Sequence, residues 1–288
     1  MTFTTLISVD ALIPKFEQTN WVIVDCRSKL GDMDYGRAQY QQSHISNAIF
    51  AHLEYDLSGP IIPGTTGRHP LPAPIDFIAK LNQWGIDNQT QVIAYDDAGG
   101  AYAARLWWMM RWLGHHSVAV LNGGWQAWKN ANAKESTAPA KPHLKAPFIG
   151  EWKSSMVVTT AEVLAHHSSP AFTLMDARAA NRYAGNDETI DPIAGHIPGA
   201  LNFPFMDNLN GDGHFKTPAL LRERFEALSM TAFNNAKPLV SYCGSGVTAC
   251  HNILAMAHAG LDVPKLYAGS WSEWITHPEH KVGVGEKP

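Results

Sequence analysis

Cysteine is scarce in this chain: Cys26, Cys243 and Cys250 are the only three in 288 residues. Three thiols make no disulfide framework, which excludes a cross-linked secreted scaffold and fits a reducing compartment. Long hydrophobic runs are missing too, and no apolar stretch approaches the ~20 residues that a bilayer-spanning helix needs. The first seventeen residues have neither the basic start and apolar core of a signal peptide nor the arginines of a transit peptide, so a cytoplasmic protein is expected. Positive charge is not in excess. With 22 Lys and Arg against 26 Asp and Glu, the net charge of −4 offers no polybasic surface to nucleic acid or an anionic membrane. Metal-binding spacings are absent as well. Neither HExxH nor CxxC occurs, and His115-His116 and His166-His167 are adjacent pairs that do not share a helix face, so neither a metal nor a cofactor is expected.

What is present is an ordinary globular composition, 45% hydrophobic and 17% charged, over a length that suits about two domains of ~150 residues. Hydrophobic periodicity and turn residues predict helices over 8–16, 75–84 and 102–113, and strands over 21–25, 91–95 and 118–121. The stretch 58–74 is dense in Gly and Pro and reads as loop. The second half repeats this order. Asp176-Ala177-Arg178 parallels Asp25-Cys26-Arg27, and Gly195-His196-Ile197-Pro198-Gly199-Ala200 parallels the segment at His44. The strand before Cys243 parallels the one before Asp96, and Trp271-Ser272-Glu273-Trp274 parallels Trp125 to Trp128. The offsets, 152 at His196, 147 at Cys243 and 146 at Trp274, are nearly constant, so the chain is a duplicated α/β unit. Strands alternating with helices imply, in each unit, a mostly parallel sheet flanked by helices. The boundaries read as 1–130 for the first unit, 131–154 for a polar linker containing Pro139, Pro142 and Pro147, and 155–288 for the second.

The duplication separates scaffold from chemistry. Asp25/Arg27 and Asp176/Arg178 occur in both halves and read as structural ion pairs; the paired tryptophans read as core. Cys243 occurs once, because its counterpart is Asp96. It lies in Cys243-Gly244-Ser245-Gly246-Val247-Thr248, between a predicted strand ending at Tyr242 and a predicted helix ending before Gly260. Backbone amides of such a loop and the helix N-terminus behind it favour an anion and lower a thiol pKa. A Cys-based phosphatase would need an Arg six residues after its nucleophile; that position is Ala249, and the loop holds no Arg to clamp a dianion. Arg182 also occurs in the second half only, which makes it a candidate for chemistry, the alternative being a solvated surface residue. Cys250 reads as a small buried residue.

These residues resemble the two-domain rhodanese-type sulfurtransferases, and most of all their 3-mercaptopyruvate branch. The loop Cys-Gly-Ser-Gly-Val-Thr, Asp-x-Arg in both halves, the Gly-His-Ile-Pro-Gly-Ala motif and the terminal Trp-Ser-Glu-Trp carry the resemblance. The fold it implies is two tandem rhodanese-like domains, the first without a nucleophile. The function it implies is sulfane-sulfur transfer from 3-mercaptopyruvate through a Cys243 persulfide to thioredoxin, glutathione or cyanide. A thiosulfate-preferring enzyme, or a sulfur carrier with little turnover, is the alternative. The amides of Gly244, Gly246, Val247 and Thr248 would cradle the sulfur anion, and Arg182 would hold the donor's carboxylate. The resemblance also implies that a first-domain Asp and His relay a proton to Ser245. His44 and Asp34 are the candidates, although His196 mirrors His44 and marks it equally as scaffold. The branch usually carries a second substrate Arg seven residues before the motif His, where this chain has Thr189.

Overall fold

The computed structural model describes residues 2–141, 145–166, 171–232 and 237–288; Pro142 and His167 lie outside them. The chain divides into two compact units. One comprises Met1–Gly59, Leu71–Lys153 and Gly211–Phe215; the other comprises Pro60–Pro70, Ser154–Asn210 and Lys216–Pro288.

The first unit runs β1 (Leu6–Ile7), α1 (Val9–Leu12), β2 (Trp21–Asp25), α2 (Tyr35–Gln42), β3 (His44–Ile45), β4 (Ile49–Phe50), α3 (Pro74–Gln83), β5 (Gln91–Tyr95), α4 (Ala103–Trp112), β6 (Val118–Leu121), α5 (Gly124–Asn130) and β7 (Glu135–Ser136). The second runs β8 (Val157–Val158), α6 (Thr160–His166), β9 (Thr173–Asp176), α7 (Ala180–Tyr183), β10 (Leu201–Asn202), α8 (Pro218–Ala232), β11 (Leu239–Tyr242), α9 (Ala249–His258), β12 (Lys265–Tyr267) and α10 (Ser270–Trp274). Each unit holds a five-stranded, wholly parallel sheet. The strand order is β1-β6-β5-β2-β4 in one and β8-β12-β11-β9-β10 in the other, the same order built from corresponding strands. Central strands covered on both faces are near-continuously apolar, and Gln91–Tyr95, with only Gln91 polar in its first four positions, is buried at all five. The helix after it, α4, is buried nearly all round, with Trp107 and Trp108 at 0% exposure. The second core gathers Leu174, Val240, Tyr242, Trp271 and Trp274.

The repeated polar residues are built into these cores in the same way twice. Arg27 forks onto Asp25 and donates to the Ser43 carbonyl at 2.7 Å, with its guanidinium 4.6 Å from the Trp125 ring centre. Arg178 forks onto Asp176, donates to the Gly195 carbonyl at 2.7 Å and stands 5.0 Å from Trp271. These pairs and the tryptophans are scaffold, as the repeat implied. The stretch 131–153 does more than link. Its β7 pairs antiparallel with β3, and Phe148 N donates to Asn82 Oδ1, so it is bound to the first unit. Conversely, residues 60–70 belong to the second unit.

Candidate active site

Tyr242 ends β11 and Ala249 begins α9, so residues 243–248 form the strand-to-helix loop. Cys243 is 2% exposed and Ser245 4%. Gly246 has φ +77°, and a side chain there would strike the Ala268 carbonyl, so only glycine lets the loop turn at this point. The helix α10 grips the loop from its own first turn: Trp271 N donates to the Cys243 carbonyl at 3.0 Å, Ser272 N to the Gly244 carbonyl at 2.9 Å, and Cys243 N to Ser270 Oγ at 3.1 Å. Cys250 is fully buried on α9, where its Sγ donates to the Gly246 carbonyl at 3.4 Å, a structural role.

The first unit shows what this loop architecture binds. Asp96, in the Cys243 position, accepts four backbone amides at 2.8 Å: Ala98 and Gly100 on Oδ1, Tyr102 and Ala103 on Oδ2. Burial pushes its carboxyl pKa up while these amides pull the other way. A concave nest of amides is thus filled by the unit's own carboxylate. Trp125 N donates to the Asp96 carbonyl at 2.8 Å, as Trp271 N does to that of Cys243.

Arg182, on α7, reaches the Cys243 loop. Its Nε and Nη2 fork onto Glu188 at 2.8–3.2 Å, and Nη2 also reaches Asp191 Oδ2 at 3.2 Å. Nη1 makes none of these bonds. Both terminal nitrogens stand 3.7 Å from the point where a β-carbon on Gly244 would sit. Glu188 is itself set by the amides of Ile190 and Asp191 and lies 3.5 Å from Arg178 Nη1. The expected cation is therefore not a free surface side chain; two carboxylates, each 2% exposed, aim it.

A second guanidinium converges on the same point. Arg68, in the 60–70 segment, pairs through Nη1 with Asp191 Oδ1, and its Nη2 lies 3.0 Å from that same Gly244 β-carbon position. Its backbone N donates to Ser272 Oγ at 3.0 Å, so one serine of α10 holds both the Cys243 loop and the Arg68 strap. Burial lowers the Arg68 pKa; Cys243 raises it and Arg182 lowers it further. Next in the chain, His69 Nδ1 is 2.7 Å from Ser245 Oγ, both residues being about 5% exposed.

The sequence reading therefore needs correction at His44. His44 does not serve Ser245. Its ring nitrogens meet the carbonyls of Tyr40 and Ala138 at 2.6 and 2.9 Å, and it stacks on Tyr40 with centroids 3.8 Å apart and planes 8° apart. His196 stacks on Tyr183 with the same 3.8 Å and 8°, so the pair is a repeated core device. Asp34 is exposed at the start of α2. The residues missed are Arg68, His69, Glu188 and Asp191. Arg68 stands in one half only, the very criterion that singled out Arg182, whereas His69 has a counterpart in His214 of the second half; the Gly and Pro around Arg68 and His69 had set their segment aside as loop. Gly244, Gly246, Val247 and Thr248 all lie in the loop beside Cys243, with Thr248 immediately before α9.

A model of the rhodanese-like domain family matches residues 8–131 and again 159–277. A Pseudomonas aeruginosa protein named as a probable 3-mercaptopyruvate sulfurtransferase is 44% identical, over 99% of this chain and all of its own. A mouse thiosulfate sulfurtransferase is 37% identical over 87% of this chain and 84% of its own. Among solved structures, the 3-mercaptopyruvate sulfurtransferase of Leishmania major superposes with a TM-score of 0.78 at 33% identity, over 94% of this chain and 74% of that one. Escherichia coli SseA, described with the rhodanese fold and mechanism of 3-mercaptopyruvate sulfotransferases, superposes at 0.80 with 31% identity, over 94% of this chain and all of that one. With both halves matched, the chain belongs to the rhodanese-like family, as a two-domain sulfurtransferase.

Proposed function

We propose that the enzyme moves a sulfane sulfur from 3-mercaptopyruvate, through a persulfide on Cys243, to a thiol such as thioredoxin or glutathione, or to cyanide. The observation that carries this reading is the convergence of the Arg68 and Arg182 guanidiniums on Gly244, beside the buried thiol. Two planar forks suit a donor with a carboxylate and a neighbouring keto oxygen, and they answer the missing cation at Thr189. The Cys243 thiolate attacks the donor's sulfur. An S–S bond forms, the donor's C–S bond breaks, and its electron pair becomes the enolate of pyruvate. The loop amides corresponding to those on Asp96 stabilise the sulfur anion. The Ser245–His69 pair hands a proton toward the enolate, which then leaves as pyruvate. The acceptor thiolate next attacks the outer sulfur and returns Cys243 as thiolate, giving ping-pong kinetics. Three cysteines in no disulfide suit a reducing cytoplasm.

Thiosulfate is the second reading, favoured by the relatives that bear that name. Its leaving group, sulfite, needs no proton, so the Ser245–His69 pair would be idle. Incubation with each donor followed by intact-protein mass spectrometry tests the mechanism. The expected result is a gain of one sulfur atom on Cys243 and none in Cys243→Ser; a persulfide elsewhere, or none with either donor, overturns it. Parallel steady-state kinetics then rank the donors.

A further inference from the structure

Two histidines and a glutamate cluster just beyond α10, outside the sulfur-transfer site. His280 N donates to the His277 carbonyl at 3.0 Å, closing a four-residue turn with Pro278 and Glu279 at its centre. Pro at the second position of such a turn pre-sets its backbone angle, so the turn is stiff. It brings the His277 and His280 rings to 4.7 Å between centres, and one ligand atom from each of His277, Glu279 and His280 lies within 4.8 Å of the others. His280 Nδ1 lies 3.0 Å from the Trp274 carbonyl, an acceptor that makes this nitrogen the protonated one and leaves Nε2 with a free lone pair. A ring nitrogen donating to a backbone carbonyl while the other offers its lone pair is the usual outer-shell arrangement of a metal-binding histidine.

We propose that this turn binds one divalent transition-metal ion of the zinc class through His277, Glu279 and His280. Two imidazoles and a carboxylate suit zinc, nickel or cobalt and disfavour magnesium or calcium, which take oxygen ligands. Zinc bonds of roughly 2.1 Å place tetrahedral ligands roughly 3.4 Å apart, so the side chains close by at most about 1.4 Å, which exposed His277 and Glu279 can supply by rotation. The three residues leave the fourth coordination position to water. The ion would also clamp the end of α10, whose first turn holds the Cys243 loop. The sequence reading passed this group over because it weighed adjacent histidine pairs and HExxH, whereas these ligands are spaced for a turn.

The test is calorimetric titration of zinc chloride into the Cys243→Ser protein, which removes the loop thiol as a competing ligand. One equivalent with micromolar affinity is expected, weakened at least tenfold in His277→Ala and in Glu279→Gln. Zinc should raise the thermal midpoint of the parent and not that of His277→Ala, whose exposed ring contributes little to folding. Absence of micromolar binding, or the same affinity in both variants, overturns the proposal.

Discussion

At residue scale, the site depends on how charge is aimed. Asp191 faces both guanidiniums, Arg182 at 3.2 Å and Arg68 through its other oxygen, and Glu188 fixes Arg182 from the side. Arg68→Ala should raise the KM of either donor and lower kcat/KM by roughly 10- to 100-fold, the scale of about 1.4–3 kcal/mol for a charge-assisted pair. Unchanged kinetics with both donors would return Arg68 to a purely structural role. His69→Gln should split the donors, lowering kcat with mercaptopyruvate while leaving turnover with thiosulfate nearly intact. An equal loss with both would remove the proton-relay role. Arg182 was legible in the sequence because it sits in a segment matched between the halves and differs there. Arg68 and His69 were not, since a Gly- and Pro-rich loop carries no periodicity to say where its side chains end up.

At the scale of the element, one strand-turn-helix unit occurs twice with different contents. In the first it closes on the Asp96 carboxylate with four amide bonds; in the second it carries Cys243, a side chain with no acceptor oxygens. Asp96 is therefore a keystone of its own unit. Asp96→Ala leaves four amides, two of them fully buried, without their acceptor and should destabilise that unit by about 2–4 kcal/mol. Urea unfolding would show the loss as an earlier first transition, with Asp96→Asn intermediate because it keeps one acceptor oxygen. A transition at the parent's midpoint would refute this account. The loop at Cys243 was foreseen from glycine spacing, because Gly246 occupies a left-handed backbone position where the Ala268 carbonyl leaves no room for a side chain. The short strands β3, β7 and β10 escaped notice, as two-residue pairings leave too little pattern to read.

At the scale of the whole molecule, buried imidazoles link stability to pH. Burial holds His115 and His196 below their ordinary pKa of 6.5. Above that pH neither the folded nor the unfolded chain protonates them, so they add no pH dependence. Below it the unfolded chain takes up protons that the folded chain refuses, and stability falls by up to about 1.4 kcal/mol per pH unit for each histidine until the folded groups titrate. Urea midpoints at pH 7.5, 6.0 and 5.0 should decline in that order, and His115→Gln should flatten the decline; a midpoint constant across the series would contradict the assignment. No helix among the described residues is long and apolar enough to cross a membrane. What the sequence determined by itself was the duplication, the parallel α/β class and the one loop cysteine proposed as nucleophile, because repeated motifs, buried apolar strands and a lone Cys opposite an Asp are all written locally. Tertiary structure alone decided which cations and which histidine stand near that loop. Arg68 and His69 are 175 and 174 residues from Cys243, and only the packing of the 60–70 strap on Ser272 and Asp191 brings such distant charges to one point.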